Sequence, residues 1–231
     1  SFVLRGTDGS SLELTSTWGY AAGDVHGIDV QAWTNSTLRG GTWIYVQLGP
    51  AGAGFIPSRN LTLDVRSTSN GVVVPLVRGT TFDDQAGWAR GVAWLDHQTD
   101  AGSALMPSVG DDIIAVAAYG GNNDLSMYGW GVRGERRAYS GMGPRIDGAP
   151  VVDISAPDDP YAARSDASSA HGDYQTFGGT SGALPHVAGS AALLKQAFPT
   201  AGHNEIKALL TDNAATDSFT ADLASAWEDH A

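Results

Sequence analysis

The stretch Gly178-Gly-Thr-Ser-Gly-Ala-Leu-Pro-His-Val-Ala-Gly189 holds the residues best placed to do chemistry. Ser181 follows a tight glycine turn and opens a run of small apolar residues that predicts a helix from Ser181 to Phe198. A serine there has a backbone N–H with no intrahelical acceptor, free to donate to a developing oxyanion. Its side chain also sits in the field of the helix's positive end. Pro185 falls near the first turn, where a missing N–H costs least. The chemistry implied is attack by a hydroxyl, which needs a base to take its proton and a carboxylate to orient that base. His186 is not that base: one helical turn from Ser181, it belongs to the helix that carries the serine.

The segment resembles the nucleophile segment of the subtilases, the subtilisin-like serine proteases, which reads Gly-Thr-Ser-x-Ala-x-Pro-His-Val-Ala-Gly. Gly182 stands where that family usually has Met, and Leu184 where it has a smaller residue. Two earlier stretches extend the resemblance. Pro107-Ser-Val-Gly-Asp-Asp-Ile-Ile-Ala-Val-Ala117 resembles a family strand, and Tyr139-Ser-Gly-Met-Gly-Pro144, Asp147-Gly148 and Asp153-Ile-Ser-Ala-Pro157 resemble the run that follows it. Val152 for Pro and Asp158 for Gly depart from the pattern. The match covers roughly residues 103–214. The resemblance implies that Ser181 is the acylating nucleophile, that its own N–H donates to the oxyanion, and that Gly179 and Thr180 shape the turn. It places Phe177 and Gly182 on the leaving-group side. Leu105, Pro107 and Ser108 fall along the pocket for the residue before the cut, with a cis bond before Pro107.

The family's other motifs, Asp-x-Gly, His-Gly-Thr-His and an oxyanion Asn, precede the serine and do not stand in this sequence. Asp8-Gly9 and Asp24-Val-His26-Gly27 carry similar letters, but His26 reads as the start of an alternating strand rather than of a helix. Too few residues separate them for two parallel strands and a helix. They read as a surface Asp and a strand His. The expectation is therefore the C-terminal part of a subtilase catalytic domain, a fragment inactive by itself, whose partners are a polypeptide substrate and the missing N-terminal half. Two rivals are a binding module with a degenerate protease remnant, and an α/β-hydrolase using Gly179-Thr-Ser181-Gly-Ala183 with Asp222 and His230. The second is weak, because no strand pattern after Ser181 could carry that Asp and His.

The elements that must position Ser181 differ in texture along the chain. Short runs with strand character, Gly27–Trp33, Thr42–Leu48, Leu61–Val65 and Val72–Val77, are separated by Gly-, Asn- and Ser-bearing turns, as in an all-β sandwich. Residues 82–99 read as either a short helix or a last sandwich segment. From about 103 the pattern becomes α/β: Ile113–Tyr119 and Val151–Pro157 are continuous apolar strands of the kind a parallel sheet buries. The serine-bearing helix is apolar nearly all round and is expected to be central and buried. Asn204 is expected to cap a shorter helix, Glu205–Asp212. The predicted architecture is thus a sandwich or jelly-roll-like insert over 1–102, resembling that of clostridial germination subtilases. A partial subtilisin-like parallel sheet follows over 103–231.

Composition bounds the rest. The chain has 231 residues, 42% hydrophobic and only 16% charged, which excludes disorder. A net charge of −12 argues against nucleic acid or an anionic membrane as partner. With no cysteine there is neither a disulfide framework nor a thiolate metal site. No apolar run reaches transmembrane length, and the opening Ser-Phe-Val-Leu-Arg is not a signal peptide, so a secreted protein would carry its signal upstream. No cofactor is implied. Calcium is open, because Gly120-Gly-Asn-Asn-Asp124 or Asp158-Asp159 could supply oxygen ligands, but no spacing assigns a site and such segments are more often solvated turns. The aromatics Trp18, Tyr20, Trp33, Trp43 and Tyr45 could form a sugar platform, although at strand spacing core or inter-sheet packing is the commoner use.

Overall fold

The computed structural model describes residues 1–15, 19–37, 41–52, 54–66, 76–81, 92–99, 101–121, 132–163 and 174–216. The chain divides into two compact units, Ser1–Val77 and Arg78–Ala231. The division falls upstream of the change in sequence texture at 102/103: Arg78 already bonds within the second unit, as do Gly102 and Ala104. Arg78 donates to the Pro144 carbonyl, Gly102 N–H to Gly143 O (2.8 Å) and Ala104 N–H to Met142 O (2.9 Å).

The first unit contains strands β1 (Phe2–Gly6), β2 (Ser11–Leu14), β3 (Gly19–Val25), β4 (Ile28–Ser36), β5 (Thr42–Pro50) and β6 (Leu61–Val65). They form two antiparallel three-stranded sheets, ordered β2-β1-β6 and β3-β4-β5. Both sheets contribute to one core of Phe2, Leu4, Leu14, Val25, Ile28, Val30 and Ala32. Strand β4 shows why: Ile28, Val30 and Ala32 alternate with Asp29, Gln31 and Trp33, so every second side chain is buried. The expected strand at 61–65 has those bounds, and those beginning at 27 and 42 run two or three residues longer than expected. Strands β1, β2 and β3 were not legible, because Phe2-Val-Leu does not alternate and Gly19–Val25 is built largely from small residues. Most of the run expected at 72–77 lies outside the described residues, and its end, Leu76 and Val77, is exposed and not in a strand.

His26 is in a turn, not a strand. It and Gly27 link β3 to β4 with φ of 56° and 75°, the positive pair that a tight two-residue hairpin needs. Asp24 Oδ1 accepts the Gly27 N–H at 2.9 Å, His26 N–H donates to Ser10 Oγ at 2.8 Å, and its Nδ1 lies 3.2 Å from Thr7 Oγ1. Those bonds give His26 a structural task at a hairpin corner.

In the second unit β7 (Val116–Tyr119) and β8 (Ile154–Pro157) pair in parallel, with Val116 beside Ile154 and Tyr119 beside Pro157. Strands β9 (Tyr161–Ala163) and β10 (Tyr174–Thr176) form an antiparallel pair. Helix α1 (Thr180–Ala197) lies on β7 and β8, and α2 (His203–Thr211) packs on α1. Ala118, Ala156, Ala183 and Val187 make the core between helix and strands. Three alanines let the helix approach the strand pair closely.

Two expectations are corrected here. Helix α1 is not buried all round: Gly182, Ala183 and Val187 are covered, whereas Leu184 and Leu193 (69% accessible) are exposed, as is Phe198 at its C-cap. The parallel pair covers one side of the helix only. Helix α2 is capped by Gly202, whose N–H donates to Glu205 Oε2 at 2.7 Å, rather than by Asn204. The N3 glutamate reaches back to the N-cap N–H, the reciprocal half of a capping box, and a glycine N-cap brings no side chain for the other half. Lys207 of α2 is anchored to the residues that precede β7 and β8, donating to the Ile113 carbonyl at 3.0 Å and pairing with Asp153 Oδ1 at 2.7 Å.

Candidate active site

Ser181 is the second residue of α1 and is exposed. The chain enters the helix through Gly179, at φ 82° and ψ 178°, a conformation that strongly favours glycine. Gly179 O then accepts from Gly182 N–H (2.8 Å) and Ala183 N–H (3.3 Å), closing the first turn. The N–H groups of Thr180 and Ser181 lie in the first turn, where the helix has no acceptor to offer. No acidic side chain occupies that turn, so the helix field there is not offset from within. An exposed hydroxyl and orphan N–H donors therefore share one helix end, which is what attack on a carbonyl and capture of its oxyanion require.

The turn is held from behind. Phe177 N–H donates to Pro160 O at 3.0 Å. Gly182 is buried against the same two residues: a Cβ placed there would overlap the Phe177 carbonyl oxygen and lie 3.1 Å from Pro160 Cδ. Phe177 and Gly182 thus meet beside Ser181, with the Phe177 ring half exposed and Gly182 turned inward.

One residue before Pro160 lies a buried charge cluster that sequence reasoning missed. Arg137 Nε donates to Asp158 Oδ2 at 2.9 Å and its Nη2 to Asp159 Oδ2 at 3.3 Å. All three side chains are at most 5% accessible. The Tyr139 hydroxyl also bonds Asp158 Oδ2, and Gly121 N–H approaches Asp158 Oδ1 at 3.4 Å. Burial opposes the Arg137 charge, but the hydrogen bond and charge of Asp158 outweigh it, and its pKa is raised. Burial also raises the Tyr139 pKa, helped by the Asp158 hydrogen bond and the two carboxylates, so the phenol stays a donor. Of the two acidic segments, Asp158-Asp159 has one oxygen of each carboxylate on the Arg137 guanidinium. Asn122–Asp124 of the other acidic segment lie outside the described residues.

The loop with Leu105, Pro107 and Ser108 is fixed elsewhere in the unit. The Met106–Pro107 bond is cis, as is Gly143–Pro144. Ala104 N–H bonds Met142 O at 2.9 Å, and Met142 N–H bonds Ser103 Oγ at 3.0 Å, so this loop lies along 141–143. Leu105 is half exposed. No hydrogen bond joins it to the Ser181 turn among the described residues. Nor does an imidazole bond Ser181 there; His186 is exposed on α1, and its carbonyl accepts from Ser190 Oγ. Asp222 and His230, the hydrolase candidates, lie outside the described residues.

A profile of the subtilase family matches residues 29–227, most of the chain and both units. The chain belongs to the subtilase family. A search of curated protein sequences found no match. Among solved structures, that of the Clostridium perfringens CspB protease aligns over 94% of this chain with a TM-score of 0.61 at 19% identity. At that identity the likeness is one of fold. The chain spans 44% of that protein, less than half its length. Within the subtilase pattern, the two departures at 158 and 182 acquire a physical account. Asp158 lies in the loop just past β8, yet it is buried and balanced by Arg137. The usual methionine at 182 would drive its Cβ into the Phe177 carbonyl, so this subtilase needs glycine there. Among the described residues no helix is long and apolar enough to cross a membrane.

Proposed function

We propose that this chain carries the nucleophile of a secreted subtilisin-like serine endopeptidase, which cleaves polypeptides through an acyl-enzyme on Ser181. The observation that carries the reading is the exposed Ser181 hydroxyl at the donor end of α1, behind the positive-φ Gly179. Ser181 Oγ attacks the scissile carbonyl carbon, its proton passes to a base, and the oxygen becomes an oxyanion facing the Ser181 N–H. Collapse expels the amine, which takes the proton from the base; water then repeats the sequence and releases the acid. The base, its orienting carboxylate and a side-chain oxyanion donor come, in this reading, from residues outside this chain. The uncovered apolar flank of α1 supports such a missing neighbour.

The test is labelling of the full-length protein with a fluorophosphonate, followed by peptide mapping. Ser181 is expected to carry the phosphonyl group, and Ser181→Ala to lose both label and casein hydrolysis. Label on another residue would overturn the assignment. The 231-residue chain by itself is expected to be slower by about 10⁶-fold, the loss in turnover known from subtilisin when its base is removed. Turnover by this chain alone that Ser181→Ala abolishes would place a base within it and refute the missing-half reading.

A further inference from the structure

The sheet β3-β4-β5 has two very different faces. Its inner face supplies Val25, Ile28, Val30 and Ala32 to the core. Its outer face carries Tyr20, Ala22 and Asp24 from β3, then Asp29, Gln31, Trp33 and Asn35 from β4, and Trp43, Tyr45 and Gln47 from β5. Register sets Tyr20, Trp33 and Tyr45 directly opposite one another, in a row across three strands. Their ring centroids are 5.3 Å and 5.6 Å apart, tilted by 41° and 43°. Tyr20 and Tyr45 are 56% and 55% accessible, and Trp43 is 44%. These aromatics are therefore not core or inter-sheet packing, the use their strand spacing suggested. Trp18 lies outside the described residues.

We propose that this outer face binds an uncharged polysaccharide, a chain of β-linked pyranoses lying across the strands over Tyr20, Trp33 and Tyr45. Pyranose rings offer patches of C–H on their faces and hydroxyls around their edges. They need flat aromatic surface flanked by small polar acceptors and donors, and the face supplies both. The steps between the three rings are comparable to the length of one pyranose unit. In the next rows along the strands stand Gln31 beside Gln47 and then Asp24 beside Asp29, ready for equatorial hydroxyls or acetamido groups. Tyr20 Oη already reaches Gln31 Oε1 at 3.4 Å. Asp24 and Asp29 line an open cleft of about 300 Å³ with Pro50 and Ala51 at the end of the row. Two carboxylates directly opposite on neighbouring strands repel, so this pair weakens the sheet that holds it. Asp24 already accepts the Gly27 N–H, and a hydroxyl-rich ligand adds further donors to the pair.

Charge decides the class of ligand. None of the outward residues is cationic, and the chain carries −12 overall. Polyanions are repelled, which removes uronic-acid glycans, nucleic acid and anionic lipid surfaces. A protein helix would look for aliphatic side chains, whereas the large apolar groups of this face are all aromatic and set among amides and carboxylates. The site belongs to the first unit alone and is independent of any chemistry at Ser181.

Calorimetric titration of the full-length protein with cellohexaose, with an N-acetylglucosamine hexamer and with polygalacturonate tests the proposal. Saturable binding of one or both neutral oligomers is expected, little changed by added salt. The two neutral ligands separate a glucan from an acetamido-glycan specificity. The double variant Tyr20→Ala/Tyr45→Ala should bind at least about tenfold more weakly. Both rings are half exposed, so its far-UV circular dichroism should match the parent. No heat with either neutral oligomer would overturn the proposal, as would tighter binding of polygalacturonate or unchanged affinity in the double variant. Self-association that the double variant abolishes, without any saccharide response, would instead make this face a contact between copies.

Discussion

Gly182→Ala is the sharpest probe of how the serine is held, because two effects of opposite sign meet at one atom. In an ordinary helix the change stabilises by up to about 1 kcal/mol, since alanine loses less backbone entropy on ordering. At 182 the added methyl would overlap the Phe177 carbonyl oxygen and touch Pro160 Cδ. The first obstacle is backbone that cannot swing aside as a side-chain tip would. Overpacking of this kind costs about 1–3 kcal/mol, and the backbone obstacle argues for the upper end, so the net expectation is a loss of about 2 kcal/mol. Gly189 in the same helix is the control, because a Cβ there meets nothing within 4 Å. Gly189→Ala should gain about 0.5–1 kcal/mol. Urea unfolding of the full-length protein, read at constant slope, compares the two. In the active enzyme Gly182→Ala should also lower kcat by about 10²-fold if the turn moves Ser181 by an ångström, with Gly189→Ala unchanged. Equal or greater stability of the 182 variant would refute the argument, and would mean that the 160 and 177 segments yield freely.

Two further outcomes follow from the buried cluster. Arg137→Met leaves Asp158 and Asp159 without their guanidinium and should cost about 3–5 kcal/mol in urea unfolding; a loss below about 1 kcal/mol would show that the clamp is not what holds the two carboxylates. Tyr139 tests the sign of linkage at the alkaline end. Its folded pKa is raised, so its contribution is complete below the unfolded value of about 10 and declines as pH rises toward the folded one. An alkaline spectrophotometric titration of the native protein should show a late component from Tyr139, and Tyr139→Phe should remove it.

What the sequence made legible is what short-range rules govern. The start of α1 could be placed to within one residue, because glycine turn, serine, small residues and proline occur in succession. The two parallel strands followed from continuous apolar runs and end where expected, at Tyr119 and Pro157, but start three residues later than expected, at Val116 and Ile154. The Arg137–Asp158–Asp159 cluster was not legible, since a pairing across 21 residues leaves no periodic trace. The aromatics read as a possible platform, but the sequence could not decide between that and packing, for a related reason. Tyr20, Trp33 and Tyr45 sit on three strands, and only register decides whether they point into the core or away from it. Strand β3, poor in β-branched residues, gave no warning of where that register began. The capping residue of α2 was misplaced because the helix starts at His203, with a glycine N-cap whose N–H is taken by Glu205 instead of a polar side chain that marks the cap in sequence.

The departures from the subtilase pattern at 158 and 182 look unrelated in sequence and belong to one mechanical unit. Asp158 and Asp159 are clamped by Arg137, and the next residue, Pro160, accepts the Phe177 N–H. That bond brings Phe177 and Pro160 together over position 182, leaving no room for a side chain. A buried ion pair is a poor source of net stability, because desolvation offsets most of its attraction. It is a good source of position, since a planar guanidinium bridging two carboxylates tolerates little displacement. Glycine at 182 loosens the first turn of α1, and the clamp behind Pro160 restores the rigidity that a nucleophile needs. On this account Arg137 and Gly182 are coupled choices, one fixing the wall and the other clearing the space in front of it.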